Sequence, residues 1–63
     1  MAKRILLKNG NIVIVQSERY AYNKCLFTYT IYQKDGSWQH SEHDIFTMGY
    51  YQSVEEYINN NFQ

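Results

Sequence analysis

The sequence predicts an α+β fold, in which a four-stranded antiparallel sheet made of two β-hairpins carries one C-terminal helix packed on one face. Three observations support this prediction. Two of them are turn signals, because Asn9-Gly10 and Asp35-Gly36 each separate runs rich in β-branched and aromatic residues. The third is a capping box, Ser53 followed by Glu56, before an apolar periodicity typical of a helix. Residues 1–63 are therefore expected to form a single small β-β-β-β-α domain.

The first hairpin is predicted from two apolar runs, Ile5 to Leu7 and Ile12 to Val15. If Asn9 and Gly10 form a two-residue type I′ turn, Leu7 pairs with Ile12 and Ile5 pairs with Ile14. Side chains alternate along a strand, so these four apolar residues are expected to form the core face. The opposite face of the hairpin then carries Arg4, Leu6, Lys8, Asn11, Val13 and Val15.

The second hairpin follows Gln16–Lys24, a polar stretch that is compatible with a loop, an irregular edge or the beginning of a long strand. The run from Cys25 to Tyr32 is typical of a strand. A two-residue turn at Asp35-Gly36 sets Gln33 against Trp38, Tyr32 against Gln39 and Ile31 against His40. One face of this hairpin is expected to enter the core, and it consists of Cys25, Phe27, Tyr29, Ile31, Trp38 and His40.

After a mixed signal from Asp44 to Tyr51, a helix of roughly nine residues is predicted to begin near Val54. Val54, Tyr57, Ile58 and Phe62 fall on one side of this helix. A helix this short is not stable alone in water, so it must dock on the sheet. We expect it to cover the core faces of both hairpins.

Composition narrows the compartment and the class of partner. Six Lys and Arg balance six Asp and Glu, which argues against a dedicated duplex DNA binder, since affinity for a phosphate backbone needs uncompensated cations. The single cysteine, Cys25, has no disulfide partner within the chain, and the longest apolar run, from Ile12 to Val15, is too short for a signal peptide core or a membrane span. These features favour a cytoplasmic protein without a membrane partner.

Few residues of the sequence are suited to catalysis or to metal binding. His40, Glu42, His43 and Asp44 are potential zinc ligands, but His40 and His43 point to opposite faces of a regular strand. Cys25 and His40 share a face, yet that face is the predicted core, where a thiol is inert. We therefore expect no catalytic residue, no metal ligand and no cofactor, and do not expect an enzyme.

Seven tyrosines are the most unusual feature of the sequence. Tyrosine is favoured at binding interfaces, and Tyr20, Tyr22 and Tyr32 are expected at the surface as partner-binding residues. The short, cysteine-poor, Asn- and Tyr-rich chain is similar in style to small accessory proteins of phages and mobile elements. This favours a protein-interaction module that binds and inhibits a larger protein. A homodimer through Leu6, Val13 and Val15 belongs to the same class.

The alternative is weak binding of single-stranded nucleic acid. Aromatic rings on a sheet can stack bases, and Arg4, Lys8, Arg19 and Lys24 would neutralise phosphates. All six cations precede residue 35, whereas five of the six acids follow residue 34. In a hairpin fold the two halves of the chain are adjacent, and their charges are expected largely to cancel. Nucleic acid is therefore the second choice of partner.

Overall fold

The chain folds as an antiparallel meander with one helix packed on one face of the sheet. The computed structural model describes residues 2–62. Four strands, β1 (Lys3–Leu6), β2 (Ile12–Ala21), β3 (Lys24–Tyr32) and β4 (Trp38–Thr47), lie in the order β1-β2-β3-β4 and are followed by helix α1 (Val54–Asn61). This architecture confirms the predicted fold class.

The loop between β1 and β2 is one residue longer than predicted. The Gly10 N–H donates to the Leu7 carbonyl at 3.0 Å, and the Leu7 N–H donates to the Asn11 carbonyl at 2.8 Å. Gly10 has a φ of 94°. These features define a three-residue loop in which a left-handed glycine follows a tight turn, rather than a two-residue type I′ turn.

The longer loop shifts the pairing register of the first hairpin by one residue. Ile5 pairs with Val13, and not with Ile14 as predicted. Because a shift of one residue exchanges the two faces of a strand, Val13 and Val15 are buried in the core. Ile12 and Ile14 instead lie half-buried on the other face. The predicted core face of β2 and the predicted dimer face are therefore wrong at these positions.

The polar stretch Gln16–Lys24, for which three structures were considered, contains the second half of β2 and a third hairpin turn. Tyr22 and Asn23 have φ values of 53° and 61°, which is the backbone of a two-residue type I′ turn. A β-bulge at Gln16 separates the two halves of β2, since Val15 pairs with Tyr29 whereas Ser17 pairs with Thr28. Beyond the bulge, the faces to which odd and even residues point are exchanged.

The β3–β4 loop also has three residues, and not the two that were predicted, since the Gln33 N–H donates to the Ser37 carbonyl and the Gly36 N–H donates to the Gln33 carbonyl, each at 2.8 Å. The longer loop changes the predicted position of Trp38, and a second bulge follows at Gln39. Ile31 pairs with His40 as predicted, but Tyr32 pairs with Trp38 and leaves Gln39 unmatched. The Trp38 side chain is consequently turned away from the core, and 62% of it is exposed. Its predicted place in the core is wrong.

The helix closes the core from one side. Val54 and Ile58 are completely buried, as predicted, and Tyr57 and Phe62 pack against the core. The Ser53 hydroxyl accepts from the Glu56 N–H at 3.1 Å, which confirms the predicted cap. The strands, together with Leu7 just after β1, contribute the rest of the buried apolar set, which consists of Ile5, Leu7, Val13, Val15, Cys25, Phe27, Tyr29, Ile31 and Phe46.

An aromatic cluster joins the helix to β3 and β4. The Tyr57 ring stacks on Phe46 with centroids 5.0 Å apart, and it meets Phe27 edge-on at 5.8 Å. The Tyr57 hydroxyl donates to Asp44 Oδ2 at 2.9 Å. Burial, together with this hydrogen bond, raises the pKa of Tyr57 to about 12. Packing of these rings in the core thus accounts for part of the high aromatic content of the sequence.

Candidate interaction surface

The face of the sheet opposite α1, called the outer face below, carries no covering element in residues 2–62. At the end nearest the β1–β2 and β3–β4 loops, one row of side chains crosses all four strands. Leu6 pairs with Ile12, Ile12 with Tyr32, and Tyr32 with Trp38. We call these four residues the apolar row. Its two ends are well exposed, at 67% for Leu6 and 62% for Trp38.

A chain of hydrogen bonds holds the Trp38 ring in place. Gln16 Nε2 donates to Thr30 Oγ1 at 2.7 Å, and the hydroxyls of Thr30 and Ser41 lie 2.8 Å apart. The Trp38 indole N–H donates to Ser41 Oγ at 3.3 Å. Thr30 is buried, and this network satisfies its hydroxyl. The network therefore restricts the orientation of the indole ring.

A pocket lies at the opposite end of the outer face, beside the β2–β3 turn. Its volume is about 260 Å³, and we call it the turn-end pocket. Leu26 and Ile45 pair across β3 and β4 and contribute apolar surface. The complete lining is Arg19, Ala21, Tyr22, Lys24, Leu26 and Ile45.

The two faces of the sheet differ in charge. Arg4, Arg19 and Lys24 occupy outer-face positions. The three strand carboxylates occupy helix-side positions, because Glu18 pairs with Phe27, Glu42 with Tyr29, and Asp44 with Phe27. Glu55 and Glu56 belong to α1, and Asp35 lies in the β3–β4 loop. Within the described residues, the outer face therefore carries cations and no carboxylate. The expected cancellation of charge does not occur there.

The three tyrosines predicted to bind a partner do not form one surface. Tyr22, 97% exposed, lies at the β2–β3 turn, whereas Tyr32 is half-buried in the apolar row. The length of β3 separates them by roughly 27 Å. Tyr20 lies on the helix side, where its hydroxyl donates to Glu18 Oε1 at 2.6 Å.

Tyr20 belongs instead to a small polar group on the helix side. Its hydroxyl lowers the pKa of Glu18, and Lys3 Nζ, 3.2 Å from Glu18 Oε2, acts in the same direction. The same hydrogen bond raises the pKa of Tyr20. These contacts orient Tyr20 beside Cys25, which is its partner across the strand pair. The contacts among Tyr20, Glu18 and Lys3 thus have a structural role on the helix side of the sheet.

Of the four cations proposed for nucleic acid, the structure brings three to one face. Arg4, Arg19 and Lys24 are on the outer face, and Lys8 lies in the β1–β2 loop. Lys24 Nζ also donates to Thr47 Oγ1 at 2.9 Å. Sequence reasoning missed Trp38 and Ile45 as surface residues of interest, whereas it named Leu6 as part of a possible dimer surface. For Leu6, the signal was its predicted position on the non-core face.

The residues considered for catalysis and metal binding lie apart. His40 is on the helix side, with its ring centroid 6.1 Å from that of Tyr29, whereas His43 pairs with Thr28 on the outer face. Cys25 is fully buried, and this burial raises the pKa of its thiol. It pairs with Phe46, which is roughly 20 Å along β4 from His40. Within residues 2–62, no group of three potential ligands is close enough to hold a metal ion.

No protein-family model, curated protein or solved structure matches the chain. No helix in the described part of the chain is long and apolar enough to cross a membrane. The chemistry of the outer face is therefore the basis for a functional assignment.

Proposed function

We propose that this protein is a small interaction module that binds a larger protein through the outer face of its sheet. The observation that carries the proposal is the apolar row, which presents Leu6 and Trp38 to solvent at opposite ends of one line of side chains. Tryptophan and tyrosine dominate the energetic centres of protein interfaces. A ring held by hydrogen bonds also loses little entropy when it binds.

The size of the face suits such an interaction. The molecule extends 37 × 19 × 17 Å, so a face that contains the long axis projects roughly 600–700 Å². A standard interface buries about 800 Å² on each partner. One face of this domain is therefore close to sufficient, provided that the polar residues between the apolar row and the turn-end pocket take part.

The charge of the outer face favours an acidic partner over a symmetric dimer. A two-fold dimer through this face would bring together two faces that each carry Arg4, Arg19 and Lys24 and no carboxylate, and like charges oppose such pairing. The dimer proposed from the sequence also relied on Val13 and Val15, which are buried. We therefore assign the outer face to a different protein whose surface supplies carboxylates.

Capture from a lysate of the source organism, with tagged full-length chain, tests the proposal. The double variant Leu6→Ala/Trp38→Ala should lose the captured partner, because a tryptophan that anchors an interface contributes at least about 2 kcal/mol, or about thirtyfold in affinity, and Leu6 adds apolar contact area. Tyr50→Ala is the matched control, since Tyr50 is 79% exposed but lies between β4 and α1. It should retain the partner. Capture that survives the double variant would contradict the assignment.

Tyrosine variants sharpen the test. Tyr32→Ala should weaken binding, because Tyr32 belongs to the apolar row, whereas Tyr20→Ala should leave binding unchanged, because Tyr20 lies on the helix side. Loss with Tyr20→Ala and retention with Tyr32→Ala would move the interface to the other face. Circular dichroism should first show that each variant is folded.

A second candidate, binding of single-stranded nucleic acid, is favoured by the cations and aromatic rings that share the outer face. Three cations neutralise at most about three phosphates, so the logarithm of affinity should fall with the logarithm of salt concentration with a slope of about −2. Titration of a labelled single-stranded oligonucleotide at two salt concentrations measures this slope. The small number of cations makes nucleic acid the weaker candidate.

The finer parts of the sequence prediction stay predictions. An inhibitory action, a role as an accessory protein of a phage or mobile element, a cytoplasmic location and the lack of enzymatic activity belong to the proposed function and need their own tests. Identification of the captured partner is the first of them.

A further inference from the structure

We propose that the turn-end pocket binds an apolar side chain of the protein partner, with a neighbouring carboxylate of the same segment held by Arg19 and Lys24. This inference rests on the proposed function and names the chemistry that the partner must present. The pocket lies far from the apolar row, so it supplies a second, separable contact on the same face.

The volume of the pocket favours a side chain over a free small molecule. At about 260 Å³ it lies just below the roughly 300–1,000 Å³ of typical small-molecule sites. Ala21, Leu26 and Ile45 provide apolar surface without a deep enclosure, and Tyr22 borders it as an exposed ring. One aromatic or branched aliphatic side chain is the occupant that this space and lining suit.

The charges around the pocket indicate which type of residue should lie next to that side chain in the partner segment. Arg19 and Lys24 are the two charged residues in the lining. The nearest carboxylate in sequence, Glu18, points to the helix side and pairs with Lys3, which is the one ion pair found among residues 2–62. Lys24 uses one of its three ammonium protons on Thr47 and keeps two for an acceptor. A carboxylate placed between these cations is complementary to the site.

A phosphate would satisfy the same cations, but the lining favours a peptide. Base recognition on a sheet uses aromatic rings that lie under the bases. Here Ala21, Leu26 and Ile45 are aliphatic, and Tyr22 stands at the exposed border. An aliphatic surface beside two cations matches a protein segment that contains an apolar residue next to Asp or Glu.

Binding of blocked dipeptides to the isotopically labelled full chain, followed by nuclear magnetic resonance, tests the site. Acetyl-Phe-Glu-amide should shift the backbone amides of Ala21, Leu26 and Ile45 in a saturable manner. Acetyl-Phe-Gln-amide should bind about two- to fivefold more weakly, because it lacks the charge that meets Arg19 and Lys24. Acetyl-Ala-Glu-amide should also bind more weakly, because it leaves the apolar surface uncovered. Equal affinity for the three probes, or shifts elsewhere on the chain, would overturn the proposal.

Variants of the chain give the matched comparison. Arg19→Gln and Lys24→Gln should each weaken acetyl-Phe-Glu-amide binding by about two- to fivefold, while Lys8→Gln, a change in the β1–β2 loop, should leave it unchanged. An equal effect of Lys8→Gln would show that net charge, rather than the pocket, attracts the peptide. Displacement of the peptide by a short single-stranded oligonucleotide that binds more tightly would assign the pocket to nucleic acid instead.

The two proposals fail separately. If acetyl-Phe-Glu-amide leaves the pocket unperturbed while capture still depends on Leu6 and Trp38, the pocket assignment is overturned and the interaction module stands. If the dipeptide binds as expected while capture is indifferent to Leu6 and Trp38, the pocket assignment is supported and the apolar row is not the contact surface.

Discussion

Replacement of Ile58 by alanine tests whether the single helix holds this sheet in its folded state. Ile58 is completely buried between α1 and the strands. Removal of a buried Ile side chain costs about 2–5 kcal/mol, because the lost transfer free energy is joined by the cost of a cavity. At about 0.05–0.15 kcal/mol per residue, a chain of 63 residues has a total stability of roughly 3–9 kcal/mol. One truncated side chain therefore removes a large share of the free energy of unfolding.

Thermal and urea unfolding at neutral pH, followed by circular dichroism, measures the effect. A loss of 2 kcal/mol corresponds to a decrease in Tm of at least about 8 °C in a domain of this size. Asn59→Ala is the matched control, since Asn59 is the next residue of α1 and is exposed. Its effect should stay within about 0.5 kcal/mol.

A chain that ends at Gln52 gives the complementary result. It lacks α1 and should be unfolded, because Phe27, Val13 and Val15 would lose the layer that excludes water from them. If both the shortened chain and Ile58→Ala melt like the parent, the reasoning is refuted. The sheet would then have to be stabilised by a second subunit rather than by the helix.

Three further predictions concern titratable groups. Tyr57→Phe should cost about 1–2 kcal/mol at pH 7, because Asp44 loses its hydrogen-bond donor. Burial, with the bond to Asp44, raises the pKa of Tyr57 to about 12 from an ordinary value of 10.0. The folded state therefore holds this proton more tightly than the unfolded state, and the stability that Tyr57 contributes is lost as pH rises from 10 to 12. In urea melts over this pH range, the free energy of unfolding of Tyr57→Phe should fall less steeply than that of the parent. The Tyr20 hydroxyl lowers the pKa of Glu18 from its ordinary value of 4.5, so the parent should lose stability as pH falls below 4.5, and Glu18→Gln should lose less. An equal decrease in the free energy of unfolding of variant and parent at acid pH would contradict this. The buried Cys25 thiol, whose pKa burial raises, should react with a disulfide reagent only when the chain opens, and rapid labelling of the native protein would show that it is accessible.

The elements of this fold follow from local signals that sequence reasoning can use. The loops at Asn9-Gly10 and Asp35-Gly36 and the Ser53 cap all occur where the sequence places them, although each loop has three residues and not the predicted two. Each signal depends on the backbone preferences of one or two residues, which tertiary packing did not override. The third turn, at Tyr22 and Asn23, was not predicted, because neither residue is a glycine although both have positive φ.

Register was harder to predict than the elements, because it depends on alternatives that differ by one residue. A two-residue loop and a three-residue loop both place Gly10 at positive φ, so the sequence around Asn9 is compatible with either. The three-residue loop buries Val13 and Val15, whereas the shorter loop would bury Ile12 and Ile14. Both alternatives bury two branched aliphatic side chains, and hydrophobicity alone does not separate them.

The candidate site was only partly predictable for the same reason. Arg4 and Leu6 were assigned to the non-core face, and the structure places them on the outer face. Trp38 was missed because its orientation depends on the β3–β4 loop, which has three residues and not two. The turn-end pocket was missed because Arg19 and Lys24 belong to the polar stretch Gln16–Lys24, whose composition is compatible with both a loop and a strand.

The Gln16 bulge links the architecture to the proposed function. Val15 points into the core, and uninterrupted alternation would place Glu18 on the outer face and Arg19 in the interior. The extra residue reverses this assignment, so Arg19 reaches the turn-end pocket and Glu18 meets Lys3 and Tyr20 on the helix side. The Gln16 side chain, in turn, begins the hydrogen-bond chain that leads to Trp38. One inserted residue thus removes the carboxylate from the outer face, supplies a cation to it and helps to orient the exposed Trp38 ring, which is why we regard the bulge as part of the proposed interaction surface and not as an irregularity of the strand.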